Sequence, residues 1–183
     1  MTDTPSSIFH LTNQEIFVVT AAHEGQVSGQ VATWVMLVTL VPDRLRIGVA
    51  ISPLNFTYTL INQSQKFVVN LLAEGQHDWL PLFGLKSTWE IDKFAEIDIK
   101  LTASGIPVLP GTCGWAECRI GQQVDIGDRV LYIADVVKHH LYPDRQPLRE
   151  IEAFLALPEN VVQALTEKLQ NDAERARDLI KPF

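Results

Sequence analysis

Two short segments carry residue types suited to holding a ligand. The first is Gly29-Gln30-Val31-Ala32-Thr33-Trp34. It sets a glycine, small residues, a hydroxyl and a large aromatic within an otherwise apolar stretch. A flat aromatic ligand can lie against such a backbone and exchange hydrogen bonds at its edge. The same residues also suit a bulged core strand, since glycine in a strand marks a bulge or a close backbone approach. The second is Ser52-Pro53-Leu54-Asn55-Phe56-Thr57-Tyr58-Thr59. It places hydroxyls and an amide at the expected start of a helix. A helix N-terminus presents unpaired N–H groups and partial positive charge, which suits a phosphate. An ordinary helix cap explains it equally well. The nearest cations in sequence, Arg44, Arg46 and Lys66, stand outside the loop.

Other chemistry finds little support. No Ser-His-Asp order, HExxH, phosphate-binding P-loop or GxGxxG is present. His139 and His140 are adjacent, so on a strand they point to opposite faces and do not form a metal pair. Cys113 and Cys118 also face opposite ways on a strand, and nothing near them would lower a thiol pKa. Buried packing is the expected role of each.

The elements that must position these segments read mostly as strands. Ile16 to Ala22 is a β-branched run ending at the turn signal His23-Glu24-Gly25. Val27 to Leu40 reads as one long strand, and Val41 to Arg44 as a proline turn. Leu45 to Ile51 returns antiparallel. Phe56 to Ser64 has helical spacing, with Asn55 as its N-cap. Lys66 to Leu72 is a strand, and Gln76 to Phe83 a short helix limited by Pro81. Glu96 to Leu101 alternates as a half-buried strand does, and Gly105 to Val108 is a turn. Thr112 to Ile120 and Arg129 to His139 are strands linked through Gly127-Asp128. Short helices and little βαβ alternation favour an antiparallel barrel. Beyond Pro158, which suits a first helical turn, Val161, Val162, Leu165, Leu169, Ala173, Ala176 and Ile180 make an apolar stripe at helical spacing.

Composition sets the broad class. The chain has 183 residues, 46% of them apolar and 20% charged, enough to bury the core of one domain. Its formal net charge of −7 argues against general nucleic-acid binding, which needs clustered cations. Two cysteines build no disulfide framework. No apolar run reaches membrane-spanning length. The polar start, Met1 to Ser7, lacks a basic region and is not read as a signal peptide. The expectation is a soluble protein of a reducing compartment, the cytoplasm.

In order and spacing, the segments resemble the flavin reductase-like family, the FMN-binding split-barrel proteins. The pieces are FVVTAA, GQVATW, VAISPLNFTYTLINQSQKFVVNLL, LFG, DKF, GIPVLPGTCGWAECRI and GDRVLYIADVV, running from about Phe17 to Leu148. The stretch Thr57 to Leu72 carries most of the likeness. The resemblance implies a mainly β fold: a six-stranded antiparallel Greek-key split β-barrel with short helices and a C-terminal helix. It implies a barrel domain over residues 8–150, a helical extension over 151–183, and a homodimer. It implies FMN, with FAD as an alternative, and NAD(P)H as electron donor. Carried over by position, Gln30, Val31, Ala32, Thr33 and Trp34 would run along the isoalloxazine. Ser52, Pro53, Leu54, Asn55 and Thr57 would hold the phosphate end. Asn70 to Ala73, Asn70 and Leu71 foremost, would contact the ring or ribityl chain. Phe83 and Gly84, with Lys93 and Phe94, would close the pocket. No side-chain acid or base is implied for catalysis.

The sequence departs from the family at marked points. Gln30 and Val31 stand where a threonine or asparagine is common, and Thr33-Trp34 where Ser-Ser is frequent. Arg129 replaces a histidine that the family links to nicotinamide handling. Three readings follow: an NAD(P)H-dependent flavin reductase, an FMN-binding electron carrier reduced by a partner protein, and a cofactor-free dimeric barrel. Arg129 and the acidic surface favour the second. Trp34 and the lack of cations beside Asn55 favour the third.

Overall fold

The computed structural model describes residues 7–88 and 90–181; the polar start at residues 1–6 lies outside them. Seven strands form one antiparallel sheet: β1 (Phe17–His23), β2 (Gln26–Ala32), β3 (Val35–Leu37), β4 (Arg46–Ile51), β5 (Lys66–Leu71), and a pair separated from these by a small ribbon. The ribbon is β6 (Lys100–Leu101) with β7 (Pro107–Val108), and the pair is β8 (Gly114–Asp125) with β9 (Val130–Leu141). The order across the main sheet is β2-β1-β5-β8-β9-β4-β3. Its two edges, β2 and β3, are consecutive in the chain and separated only by Thr33 and Trp34. The sheet therefore curls until one interrupted run borders both sides, and Ala50 N–H donates to the Trp34 carbonyl at 3.2 Å.

That geometry corrects the single strand expected over Val27 to Leu40. The run has strand composition throughout, but it must leave β1 and join β4 on the far side. The backbone breaks at Thr33-Trp34 to do so, giving seven strands in the sheet where six were expected.

Alternation along β1 divides the interior. Val19 and Ala21 point into the barrel, with Val49, Ile51, Leu60, Ile61, Phe67, Cys118 and Tyr132. Ile16 and Val18 point the other way, into a second cluster with Leu72, Leu80, Phe83, Phe94, Leu148, Leu157 and Leu165. Side chains of period two on a two-sided wall require this split. Glu24 (φ 47°) and Gly25 (φ 78°) make the tight β1–β2 turn.

Helix α1 (Phe56–Ser64) lies where its spacing places it, buried through Thr57, Leu60 and Ile61. Asn55 takes the N-cap position, but its side chain makes no capping bond. Pro81 begins the helical turn Pro81–Leu85 and does not end it, since a missing N–H is harmless in a first turn. The expected strand Glu96 to Leu101 shrinks to β6. Ile97 and Ile99 do turn toward the second cluster, but only Lys100 and Leu101 find a partner strand.

β8 and β9 run longer than expected, twelve residues each. Register shifts at Glu117/Cys118 and Ile120/Gln122 bend the pair. Helix α2 (Glu150–Ala156) opens the stretch where a helical extension was expected from 151, and α3 (Glu159–Ala176) follows it, with Pro158 at the N-cap position. Of the α3 stripe, Leu165 and Ala176 are buried while Leu169 and Ile180 stay exposed.

Candidate functional site

Two adjoining cavities lie between the β2 wall, α1 and α3. The first, about 240 Å³, is bordered by Gln30, Val31, Ala32, Thr33, Trp34, Ser52, Phe83, Arg129 and Glu150, among others. The second, about 220 Å³, is bordered by Ser28, Gly29, Gln30, Leu54, Asn55, Thr57, Lys86 and Lys93, among others. Gln30, Phe83, Gly84, Lys168 and Asp172 border both. The two spaces therefore share a wall, and they lie beside the two segments that stood out in the sequence.

β2 builds the shared wall. Gly29 keeps regular pairing with Thr20, so it is not a bulge. Its role is close approach: Phe83 and Phe94 occupy the space a side chain would need. Phe83 packs at 5.6 Å between ring centroids on Phe94 and at 6.0 Å on Trp79, which fixes the cavity floor. Gln30 is 9% exposed, and its Oε1 has no hydrogen-bond partner. A buried acceptor without a donor is costly, so this oxygen is an observation in favour of a ligand with an N–H or O–H.

The second cavity is dressed for an anion. Ser28 Oγ lies 2.8 Å from both Thr57 Oγ1 and Thr88 Oγ1. Hydroxyls rotate, so this set can turn donors toward a phosphate. The first turn of α1 borders the same space. Lys93 is buried, donates to the Gly29 carbonyl at 2.9 Å, and has no carboxylate partner among the described residues. Burial, aided by the charge of Lys168, lowers its pKa from 10.5 to about 8, against a smaller opposing pull from Glu90.

The mouth of the first cavity is aromatic and charged. Trp34 is 50% exposed, and the Arg129 guanidinium sits 5.5 Å from its ring centre. Arg129 also pairs with Asp128 at 3.1 Å. Burial pushes the Glu150 carboxyl up, against a hydrogen bond from the Gln14 backbone.

The expected residues Pro53, Asn70, Leu71 and Phe94 stand apart from the cavities. Asn70 is fully buried and its amide is spent on structure: Nδ2 donates to the Val18 carbonyl and Thr20 Oγ1, and Oδ1 accepts from Leu109 N–H. Leu71 and Pro53 border neither space. Phe94 supports Phe83 from behind.

Sequence reasoning missed Ser28, Lys86, Ser87, Thr88, Glu150 and the α3 residues that border the cavities. Lys86-Ser87-Thr88, a basic and hydroxyl run after Phe83-Gly84, was a usable signal. The loop at Asn55 holds no cation of its own. Lys86, Lys93, Lys168 and Arg175 all reach the second cavity from distant parts of the chain. Cys113 and Cys118 are buried and free, and burial raises both thiols, Cys118 to about 12. Among the described residues no cluster of potential metal ligands occurs.

Residues 9–151 match the flavin reductase like domain, and the chain belongs to that family. It is 33% identical over 141 residues to the high molecular weight rubredoxin of Moorella thermoacetica, covering 76% of this chain and 61% of that protein. It is 25% identical over 142 residues to the ferric-chelate reductase (NAD(P)H) of Archaeoglobus fulgidus, covering 76% of this chain and 83% of that one. The chain thus spans under two thirds of the Moorella relative's length. Among solved structures, the FMN-binding protein of Thermus thermophilus with bound p-hydroxybenzaldehyde superposes with a TM-score of 0.67 at 26% identity, covering 77% of this chain and 79% of that one.

Proposed function

We propose that this chain is an NAD(P)H-dependent flavin reductase that holds FMN across the two adjoining cavities. The observation that carries the reading is an orphaned acceptor, Gln30 Oε1, beside a buried cation, Lys93, that has no ion pair among the described residues, at two adjoining cavities. A flat polar ring and a phosphate, joined by a short chain, match that order of groups. Relatives named as a ferric-chelate reductase (NAD(P)H) and a probable flavin reductase support it.

A bound flavin supplies the redox chemistry, two-electron transfer from a nicotinamide. The protein's own residues bind and orient. Gln30 and Thr33 offer polar contacts to a ring edge, and Val31 and Ala32 give an apolar face. Ser28, Thr57, Thr88 and Lys93 receive the phosphate. Trp34 and Arg129 shape the opening through which a donor reaches the ring. Anaerobic addition of NADH, then NADPH, to flavin-loaded protein tests this. Bleaching by either supports the reading, and a spectrum that stays oxidised with both rejects it.

A second reading, an electron carrier reduced by a partner protein, is favoured by one feature. Arg129 stands where the family's nicotinamide-linked histidine is expected, and a relative is named as a rubredoxin. Rapid turnover with NAD(P)H alone counts against it.

The same reading includes a homodimer. The residue before edge strand β3, the strand itself and the loop after it expose Trp34, Met36, Leu37, Val38, Leu40 and Val41, with Leu40 99% exposed. A run of exposed apolar side chains on an edge strand suits a second copy. It also divides the chain into a flavin module over 8–150 and an extension over 151–183. Among the described residues no helix is long and apolar enough to cross a membrane. The two free thiols fit a reducing compartment such as the cytoplasm.

A further inference from the structure

The family domain ends at residue 151, yet one wall of both cavities begins after it. Lys168 and Asp172 of α3 border both spaces, and Arg175 borders the second. The helix and the turn after it are held at two points. A Cβ at Gly84 would lie 3.1 Å from Leu165 Cδ2, and one at Gly127 would lie 2.5 Å from the Leu179 carbonyl oxygen. The C-terminal half of α3, which carries Lys168, Asp172 and Arg175, lies between these two points and borders the cavities.

Its charges are placed unusually. Lys168 and Arg175 border the same space as Lys93, and the charge of Lys168 acts against that of Lys93. Like charges around a partly desolvated space repel unless an anion lies among them. Two carboxylates act on these cations: Glu90 pulls weakly on Lys93, and Asp172 pairs with Lys168 one turn along α3. Arg175 has no ion pair among the described residues.

We propose that α3 completes the anion site, with Lys168 and Arg175 closing on the phosphomonoester of FMN opposite Lys93. The C-terminal extension thereby makes FMN a resident group of this chain and sets FMN above riboflavin and FAD. This rests on the flavin reading above. Flavin binding in general belongs to the family, but this contribution comes from outside the family domain.

The test uses the full-length chain, freed of flavin and titrated separately with FMN, riboflavin and FAD by quenching of flavin fluorescence. Lys168→Ala and Arg175→Ala are each expected to weaken FMN at least tenfold while leaving riboflavin within twofold. Arg175→Lys restores most of the FMN affinity, because it restores charge at the site. Asp172→Ala, which leaves Lys168 unpaired, tightens FMN about threefold. Equal losses for FMN and riboflavin make α3 a wall and not a clamp, and overturn the proposal. So does unchanged FMN binding in both variants, or wild-type protein that binds FAD as tightly as FMN. Wild-type protein that binds no flavin overturns the functional reading itself, and this assignment with it.

Discussion

Phe83 stands against Gly29 so closely that a Cβ on the glycine would lie 2.9 Å from Phe83 Cε1 and 3.3 Å from Phe94 Cζ. Both rings are buried and braced, Phe83 by Trp79 as well. Neither can step aside cheaply in a close-packed cluster. Gly29→Ala is therefore expected to cost about 1–3 kcal/mol of stability, the usual penalty of overpacking. It should also weaken FMN, because Phe83 borders both cavities. Urea melts and flavin titration check the two effects, and a variant as stable as wild type contradicts the first.

Gln30 offers a cleaner separation of folding from binding. Its Oε1 is buried without a partner, so the flavin-free protein gains nothing from it. Gln30→Leu should leave the stability of the flavin-free protein unchanged or raise it by up to about 1 kcal/mol. The same change should weaken FMN roughly five- to tenfold by removing its acceptor. Stability lost together with affinity would mean the amide serves the fold.

Lys93 predicts a pH dependence with a definite sign. Burial first, and Lys168 second, bring its folded pKa to about 8 from 10.5. Below pH 8 it is charged in both states, and the folded chain bears the full cost of burying it. Between pH 8 and 10.5 the unfolded chain binds more protons, so stability rises with pH across that window. Lys93→Met should be more stable than wild type at pH 7, by on the order of 2 kcal/mol in the flavin-free state. That gap should close toward pH 10.5. Denaturant melts at several pH values check it, and a gap independent of pH removes the titration of Lys93 as its cause.

Arg129 should act on the donor more than on the flavin. It borders the first cavity only, stacked on an exposed Trp34. A guanidinium there can meet the phosphates of a dinucleotide. Arg129→Ala is expected to raise the KM for NAD(P)H about fivefold, with FMN affinity within twofold. Steady-state kinetics at saturating flavin separate the two. A change in FMN affinity alone would place Arg129 in the cofactor site.

Local signals in the sequence were enough for much of the barrel. The alternation in FVVTAA, the helical spacing of Phe56, Leu60 and Ile61, and the Gly127-Asp128 turn are short-range features. They report backbone preferences that survive folding nearly unchanged. Gly29 also stood out by type, and Gln30 through the family likeness. The break at Thr33-Trp34 did not, because it is imposed by two distant strands, β1 and β4, that claim successive parts of one run. Nor did the true place of Asn70, whose amide is consumed by Val18, Thr20 and Leu109.

The anion site was the least legible part. Lys86, Lys93, Lys168 and Arg175 are spread over ninety residues of chain, and no local pattern relates them. The residue types, the strand and helix periods and the family likeness were all determined by the sequence itself. Which cations share one space was decided only by the tertiary structure. Charge acts through distance in space, and α3 closes that distance only by packing Leu165 over Gly84.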